Sequence, residues 1–372
     1  MQGVYAYIVN DAASEAYSGS HSFQYGLASI HFDEVNLYYH IDRFRQEFIA
    51  NLDDGSLDFT RITAHAHTPI QDLNGDGILD PNAWFNRGTQ ALYFNDEHAL
   101  AGTRDFAKED KVVYHEYSHA VIYDVESGIR SERSEEGAIS EGVADYFAGA
   151  HTGRSIILDY AAPFAIRNME NPGIDHYDDL STDLITGEVN EAAHIGGEFF
   201  SAILWDLRGR MSATEADFLA YDALFRVTSN PDFLAFRDAM MTADDAAYGG
   251  ANNGTIEDTF ADWGVVTPLE VSISGVSFID PGEEGTWTAN AQHGYGAGSY
   301  SYQWHYRDNP NDSWQQAGST SSSFSHTFYN NTPAIMSARV RVRVTSGGET
   351  VTETKSVKVY AECADPNDNF CT

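Results

Sequence analysis

His115-Glu116-Tyr117-Ser118-His119 sets two histidines four residues apart, one turn along one face of a helix, where both imidazoles reach a single metal ion. Zinc suits such a pair, and a catalytic zinc takes three protein ligands while leaving one position open to water. The third ligand must come from elsewhere in the chain. Glu141 lies twenty-two residues after His119, in a second helical stretch, and Asp145 follows one turn later on the same face. From there Asp145 is placed to accept the second ring N–H of a ligating histidine and fix its tautomer. Glu116 projects about 100° around the helix from His115, toward water, which is the place of a general base. The chemistry so implied is hydrolysis of an amide. The competing reading keeps these residues as ordinary core and surface positions of a helix. Against it stands the Glu-x-x-x-Asp pair on a helix whose Gly137 and Gly142 permit close packing. A third histidine in the pattern His-x-x-Gly-x-x-His is excluded, because Ile122 and Val125 occupy those positions.

Several elements must position these groups. Phe32 to Ala50 carries apolar residues at three- and four-residue steps and predicts a helix, as do residues 108–124, 138–150, 191–209, 214–228 and 232–247. Strand-like runs sit earlier, at Phe59 to His65 and Thr89 to Phe94. A β-containing front and a helical back predict an α+β domain of two lobes over residues 1–266. Past Pro268 the period becomes two. Val271 and Ile273, then Tyr300 to Tyr306, then Val340, Val342 and Val344 with arginines between them, predict an all-β immunoglobulin-like sandwich over residues 267–361, with Trp304 in its core. Residues 362–372 read as an acidic tail in which Cys363 and Cys371 can close a disulfide.

Composition narrows the partners. The 372 residues carry 21 Lys plus Arg against 56 Asp plus Glu, a net charge of −35. Such a field repels nucleic acid and anionic membranes. No apolar run reaches the length of a bilayer span, so no membrane insertion is expected. Two cysteines, both in the tail, exclude a thiolate metal site. A solvated acidic surface suited to an extracellular setting is the expectation.

Residues 30–265 resemble the glutamate-zincin peptidases of the thermolysin and fungalysin kind. Beyond the His-Glu-x-x-His and Glu141 signatures, Asn82-Ala83-Trp84-Phe85 resembles that family's edge strand, Ile166-Arg167-Asn168-Met169-Glu170-Asn171-Pro172 its arginine site, and Asn190 to Glu198 the segment holding its second catalytic histidine, here His194. The resemblance implies a secreted zinc endopeptidase acting on polypeptides, and a monomer is expected. His115, His119 and Glu141 would hold Zn2+, and Glu116 would be the base. Asn82 and Ala83 would pair with an extended substrate, Arg167 would hold a substrate carbonyl, and His194 would stabilise the oxyanion. Val112 and Ile166 match the walls of the family's S1′ pocket, implying cleavage on the N-terminal side of hydrophobic residues. The sequence also departs from the family. Arg130 stands where thermolysin-like enzymes carry an oxyanion-binding tyrosine, and Val189 replaces the acidic partner of the second histidine, leaving Glu188 or Glu191 to orient it. The C-terminal segment resembles a PKD-like module. A rival reading makes the metal helix a scaffold and gives the work to that module as a binder of polysaccharide or another surface ligand.

A second ion is suggested by Asp72-Leu-Asn74-Gly-Asp76-Gly77-Ile78-Leu-Asp80, which places oxygen ligands at alternate positions with glycine sixth, as in a calcium loop. Ile78 would offer its carbonyl. Position twelve is Ala83 rather than a bidentate glutamate, so Ca2+ here would need a ligand from elsewhere.

Overall fold

The computed structural model describes residues 1–53, 55–72, 79–126, 129, 135–180, 192–294, 299–332, 334–347 and 349–361. The chain forms two compact units, divided between Val265 and Val266.

In the first unit, a four-stranded sheet has the order β1 (Ala6–Asn10), β2 (Ile62–Thr68), β4 (Ala91–Asn95), β3 (Ala83–Asn86). The first three are parallel, and β3 runs antiparallel on the edge. Alternation decides the faces: Ala6 and Ile8, Ala64 and Ala66, Leu92 and Phe94 all point into the core. Helix α1 (Phe32–Phe44) buries Leu37, Ile41 and Phe44 at three- and four-residue steps. It then runs through a π-helical turn, Arg45–Ile49, into a last turn ending at Leu52. Glu34, in its first turn, is buried without strain because it accepts hydrogen bonds from the Asn10 amide and the Ala16 N–H.

Helices then take over. α2 (Asp110–Val125) and α3 (Glu135–Thr152) are followed, after the β5 (Ile156–Ile157) and β6 (Arg167–Asn168) hairpin, by α4 (Ala192–Arg210), α5 (Ala213–Ala223), α6 (Phe233–Tyr248) and α7 (Asn253–Asp262). α2 and α3 are buried on nearly every side, because each lies inside the core rather than on its surface, and both carry polar side chains among their apolar ones. α6 shows how a helix is bounded by its own sequence: Asp232 accepts the Ala235 N–H at one end, and Gly249 takes the left-handed conformation at the other. α3 and α4 approach unusually closely. A Cβ on Gly142 would lie 2.8 Å from the Gly197 carbonyl oxygen, and one on Gly197 would lie 2.5 Å from the Glu141 Cβ.

The first unit is mixed α/β, with its four-stranded sheet in the front half of the sequence and most of its helices after it. The structure differs from the sequence reading at several points: β2 runs Ile62–Thr68 rather than Phe59 to His65, and the β5–β6 hairpin was not anticipated. β1 has only five residues, too short for its alternation to stand out; α5 stops at Ala223 rather than near 228; and α7 was not anticipated, since it opens at Asn253-Gly254 amid turn residues.

The second unit is β-rich. One sheet has five strands in the order β11 (Gln315–Gln316), β10 (Ser301–Arg307), β13 (Met336–Ser346), β14 (Glu349–Val359), β8 (Phe278–Ile279). The other has three, in the order β12 (Ser323–Thr327), β9 (Glu284–Gln292), β7 (Glu270–Gly275). One core joins their inner faces: Trp287 and Phe324 from the smaller sheet, Trp304, Val340, Val342, Val344 and Val357 from the larger. Both tryptophans are fully buried, and each places its indole N–H on a backbone carbonyl, Val276 for Trp287 and Ser321 for Trp304. The tail with Cys363 and Cys371 lies outside the described residues.

Candidate metal centre and active-site cleft

α2 carries His115, Glu116 and His119, and α3 carries Ser140, Glu141 and Asp145. The two histidines present their Nε2 atoms to each other at 3.0 Å. Glu141 closes the group: Oε2 lies 3.3 Å from His115 Nε2, and Oε1 lies 3.4 Å from His119 Nε2. These separations match the edges of a small tetrahedron, since ligands about 2.0–2.2 Å from a zinc ion sit roughly 3.3 Å from one another. Glu141 Oε2 is buried and has no hydrogen-bond partner, which is costly unless a cation takes its charge. Two facing imidazole nitrogens and an orphaned carboxylate oxygen therefore fit a tetrahedral divalent ion.

The opposite edges of the rings are held. His115 Nδ1 donates to Asp145 Oδ1 at 2.7 Å, and His119 Nδ1 lies 3.2 Å from the Ser140 hydroxyl. Asp145 is gripped in turn by Arg167, whose Nε and Nη2 reach its two carboxylate oxygens at 2.5 and 2.7 Å. This arrangement sets the charges. Burial pushes Asp145 up, but Arg167 and His115 outweigh it and hold the carboxyl well below its ordinary range. Burial likewise pushes Glu141 up, yet His194, His119 and His115 bring it well below the ordinary value. Glu116, buried beside them, is displaced the other way. Desolvation raises it, with His115 and His119 only partly compensating.

These groups line a cleft of about 800 Å³. The lining includes Ala83, Trp84 and Phe85 of the edge strand and the preceding Asn82, which is exposed while Ala83 is buried. Apolar lining comes from Val112, Ile157, Leu158, Ile166 and Ile195. His194, at the start of α4, is half exposed and lies 3.4 Å from Glu141 Oε2. Thus His115, His119, Glu141, Glu116, Asp145, Arg167, His194, Asn82, Ala83, Val112 and Ile166 come together around one cleft. Arg167 is committed to Asp145, so its first task is positional.

Some expectations have no counterpart to inspect. Arg130, Glu188, Val189, Glu191, Asn74, Asp76 and Ile78 lie outside the described residues. Asp72 and Asp80 are described, and the Asp80 N–H donates to the Gln71 carbonyl at 2.8 Å. Sequence reasoning missed Ser140, which steadies His119, and gave no role to Glu198, which accepts the Asn168 N–H at 2.7 Å and ties β6 to α4. Neither carries a spacing signal, because its partner is distant in sequence. A second acidic and imidazole cluster, Asp33, His67, Asp96 and Asp105, also lies within the reach of one ion. There, however, both His67 nitrogens already face acceptors, Asp96 on one side and the Ile30 carbonyl on the other, and Lys108 supplies a cation to Asp33 and Asp105.

Two similarities to known proteins bear on the site. Residues 207–267 match the model of the fungalysin metallopeptidase family, M36, a stretch that runs from the end of α4 through α7 and does not include the metal cluster. The extracellular metalloproteinase NpIII of Aspergillus oryzae is 27% identical over 198 residues, which is 44% of this chain and 31% of that protein. The chain therefore matches less than a third of the length of that curated relative, and both similarities are to metallopeptidases.

Proposed function

We propose that the first unit is a secreted zinc endopeptidase. The observation that carries the reading is the convergence of His115, His119 and Glu141, their ligand atoms all within 4.8 Å of one another, with one carboxylate oxygen left without a hydrogen bond. The similarity to an extracellular metalloproteinase supports both the activity and the location.

His115, His119 and Glu141 would hold zinc, which when bound supplies Lewis acidity, polarising a carbonyl and making water acidic near neutral pH. The chain's own residues do the rest. Asp145 and Ser140 would keep the two imidazoles in the tautomers that leave Nε2 unprotonated for a metal. Glu116 takes the proton from water and hands it to the departing amine, a task helped by the burial that raises its proton affinity. β3 offers its free edge to an extended peptide, adding it as a further strand. The apolar wall at Val112, Ile157 and Ile166 favours a hydrophobic residue just after the cleaved bond. His194, at the mouth, donates to the oxygen on which charge develops.

Casein degradation by wild type and Glu116→Gln, with zinc content measured for each, tests the reading. The expected outcome is a fall in kcat of about 10²- to 10⁴-fold with zinc retained. Equal activity in the two would remove Glu116 from its role; a zinc-loaded wild type without activity would turn the assignment toward a binding protein.

A further inference from the structure

The second unit contains six of the chain's twenty-one Lys and Arg residues. Five of the six, Arg307, Arg339, Arg341, Arg343 and Lys358, share one face of one sheet. The register shows why. Arg307 pairs with Arg339, His305 with Arg341 and Gln303 with Arg343, and these alternate with Trp304–Val342 and Tyr306–Val340, whose valines and Trp304 are buried in the core. On the other side of β13, Arg339, Arg341 and Arg343 stand opposite Ser356, Thr354 and Thr352. With side chains alternating at period two, the outward positions of β10, β13 and β14 are cationic, hydroxyl or amide apart from the His305 imidazole, and Phe278 of β8 lies beside Lys358. The strand positions on this face include no aspartate or glutamate.

In a chain of net charge −35 this is an unusual surface. Every ion pair among the described residues lies in the first unit, so none of the five cations has a carboxylate within 4.0 Å. Two of the guanidiniums are held instead by an aromatic ring: Arg307 and Arg341 lie 4.6 and 4.3 Å from the centre of Trp314. The Arg307 Nε and the His305 Nδ1 are buried without hydrogen-bond partners. Alternate residues of a strand are about 6.8 Å apart, so Arg339, Arg341 and Arg343 form a straight row of charges flanked by the hydroxyls of β14.

We infer that this face binds an acidic, carboxylate-bearing polysaccharide laid along β13. An extended sugar acid presents one carboxylate per unit to a row of guanidiniums, each able to grip it through two parallel N–H bonds, and its hydroxyls meet Thr352, Thr354 and Ser356. Nucleic acid fits less well. Duplex DNA packs one charge into about every 1.7 Å, and so dense a polyanion meets the repulsion of the whole molecule, whereas a sparsely charged chain is repelled far less.

The test uses the full chain and polygalacturonate as the probe, with amylose and a single-stranded oligonucleotide as comparisons, at low ionic strength. Wild type is expected to bind polygalacturonate, to release it as salt rises, and not to bind amylose. Arg341→Thr/Arg343→Thr, which keeps residues that fit an exposed strand, is expected to weaken binding at least about tenfold. Arg341→Lys/Arg343→Lys is expected to retain part of it, since charge survives while the bidentate geometry is lost. Lys355→Thr serves as a control, because Lys355 pairs with Val340 on the opposite face and its loss should leave binding unchanged. An unaltered melting transition of the second unit verifies that each variant is folded. The inference is overturned if folded wild type does not bind polygalacturonate, if the double threonine variant binds as tightly as wild type, or if the oligonucleotide binds more tightly than the sugar acid.

Discussion

Glu116 and Glu141 show how one side-chain type serves two purposes a few ångströms apart. Both are glutamates in one buried cluster. Glu141 faces His194, His119 and His115 and remains an anion well below its ordinary range, whereas for Glu116 burial prevails and raises it. An anion fit to hold a metal and a carboxylate fit to carry a proton are thereby made by surroundings alone. His67 allows the same logic to be tested away from the metal. Burial opposes its charge, but Asp96, the Ile30 carbonyl and Asp33 raise it from 6.5 to about 9. Lys108 and Asp105, which flank Asp33, complete the charged surroundings. A raised folded value means that the stabilisation is fully present below pH 6.5 and disappears as pH rises through about 9. His67 also has a positive φ of 60°, a conformation asparagine tolerates. His67→Asn should therefore melt below wild type at pH 6, and the gap should narrow between pH 8 and 10. A gap that stays constant across that range would show that the imidazolium contributes nothing.

Between elements, the decisive contact is α3 against α4. Gly142 and Gly197 let the two backbones come close enough for His194 to reach Glu141. In Gly197→Ala the new methyl would meet the Glu141 Cβ at 2.5 Å. Such overpacking costs about 1–3 kcal/mol, and a displacement of the carboxylate by about 1 Å can cost on the order of 10²-fold in rate. The expected result is weaker zinc retention together with lost activity. Unchanged zinc affinity would show that the helices can separate without moving Glu141. A second cross-element tie is Lys111, buried on α2 and bound to Asp159 and to the Ile156 carbonyl. It fixes the loop that presents Ile157 and Leu158 to the cleft.

At the scale of the whole molecule, two cores that do not merge predict two melting events. A metal bound only by the folded first unit stabilises that unit by mass action. Removing zinc with a chelator should lower the first unit's transition and leave that of the second unchanged; a uniform shift of both would contradict the assignment of the metal to His115, His119 and Glu141. The long helices and the change of period past Pro268 were legible in the sequence, because hydrophobic periodicity is a local property written in neighbouring residues. The relation of His115, Glu116 and His119 was legible for the same reason, since one helical turn sets it. The positions of Ser140 and Glu198 were not, nor was the alignment of Arg307 with Arg339 or the placing of Trp314 against two guanidiniums. Those depend on which helix face meets which, and on the register between strands far apart in the chain. Sequence alone determined the types and spacing of the reactive groups; only tertiary packing decided the 3.0 to 3.4 Å separations that make them a candidate metal site, because such distances come from the packing of side chains that are not neighbours in sequence.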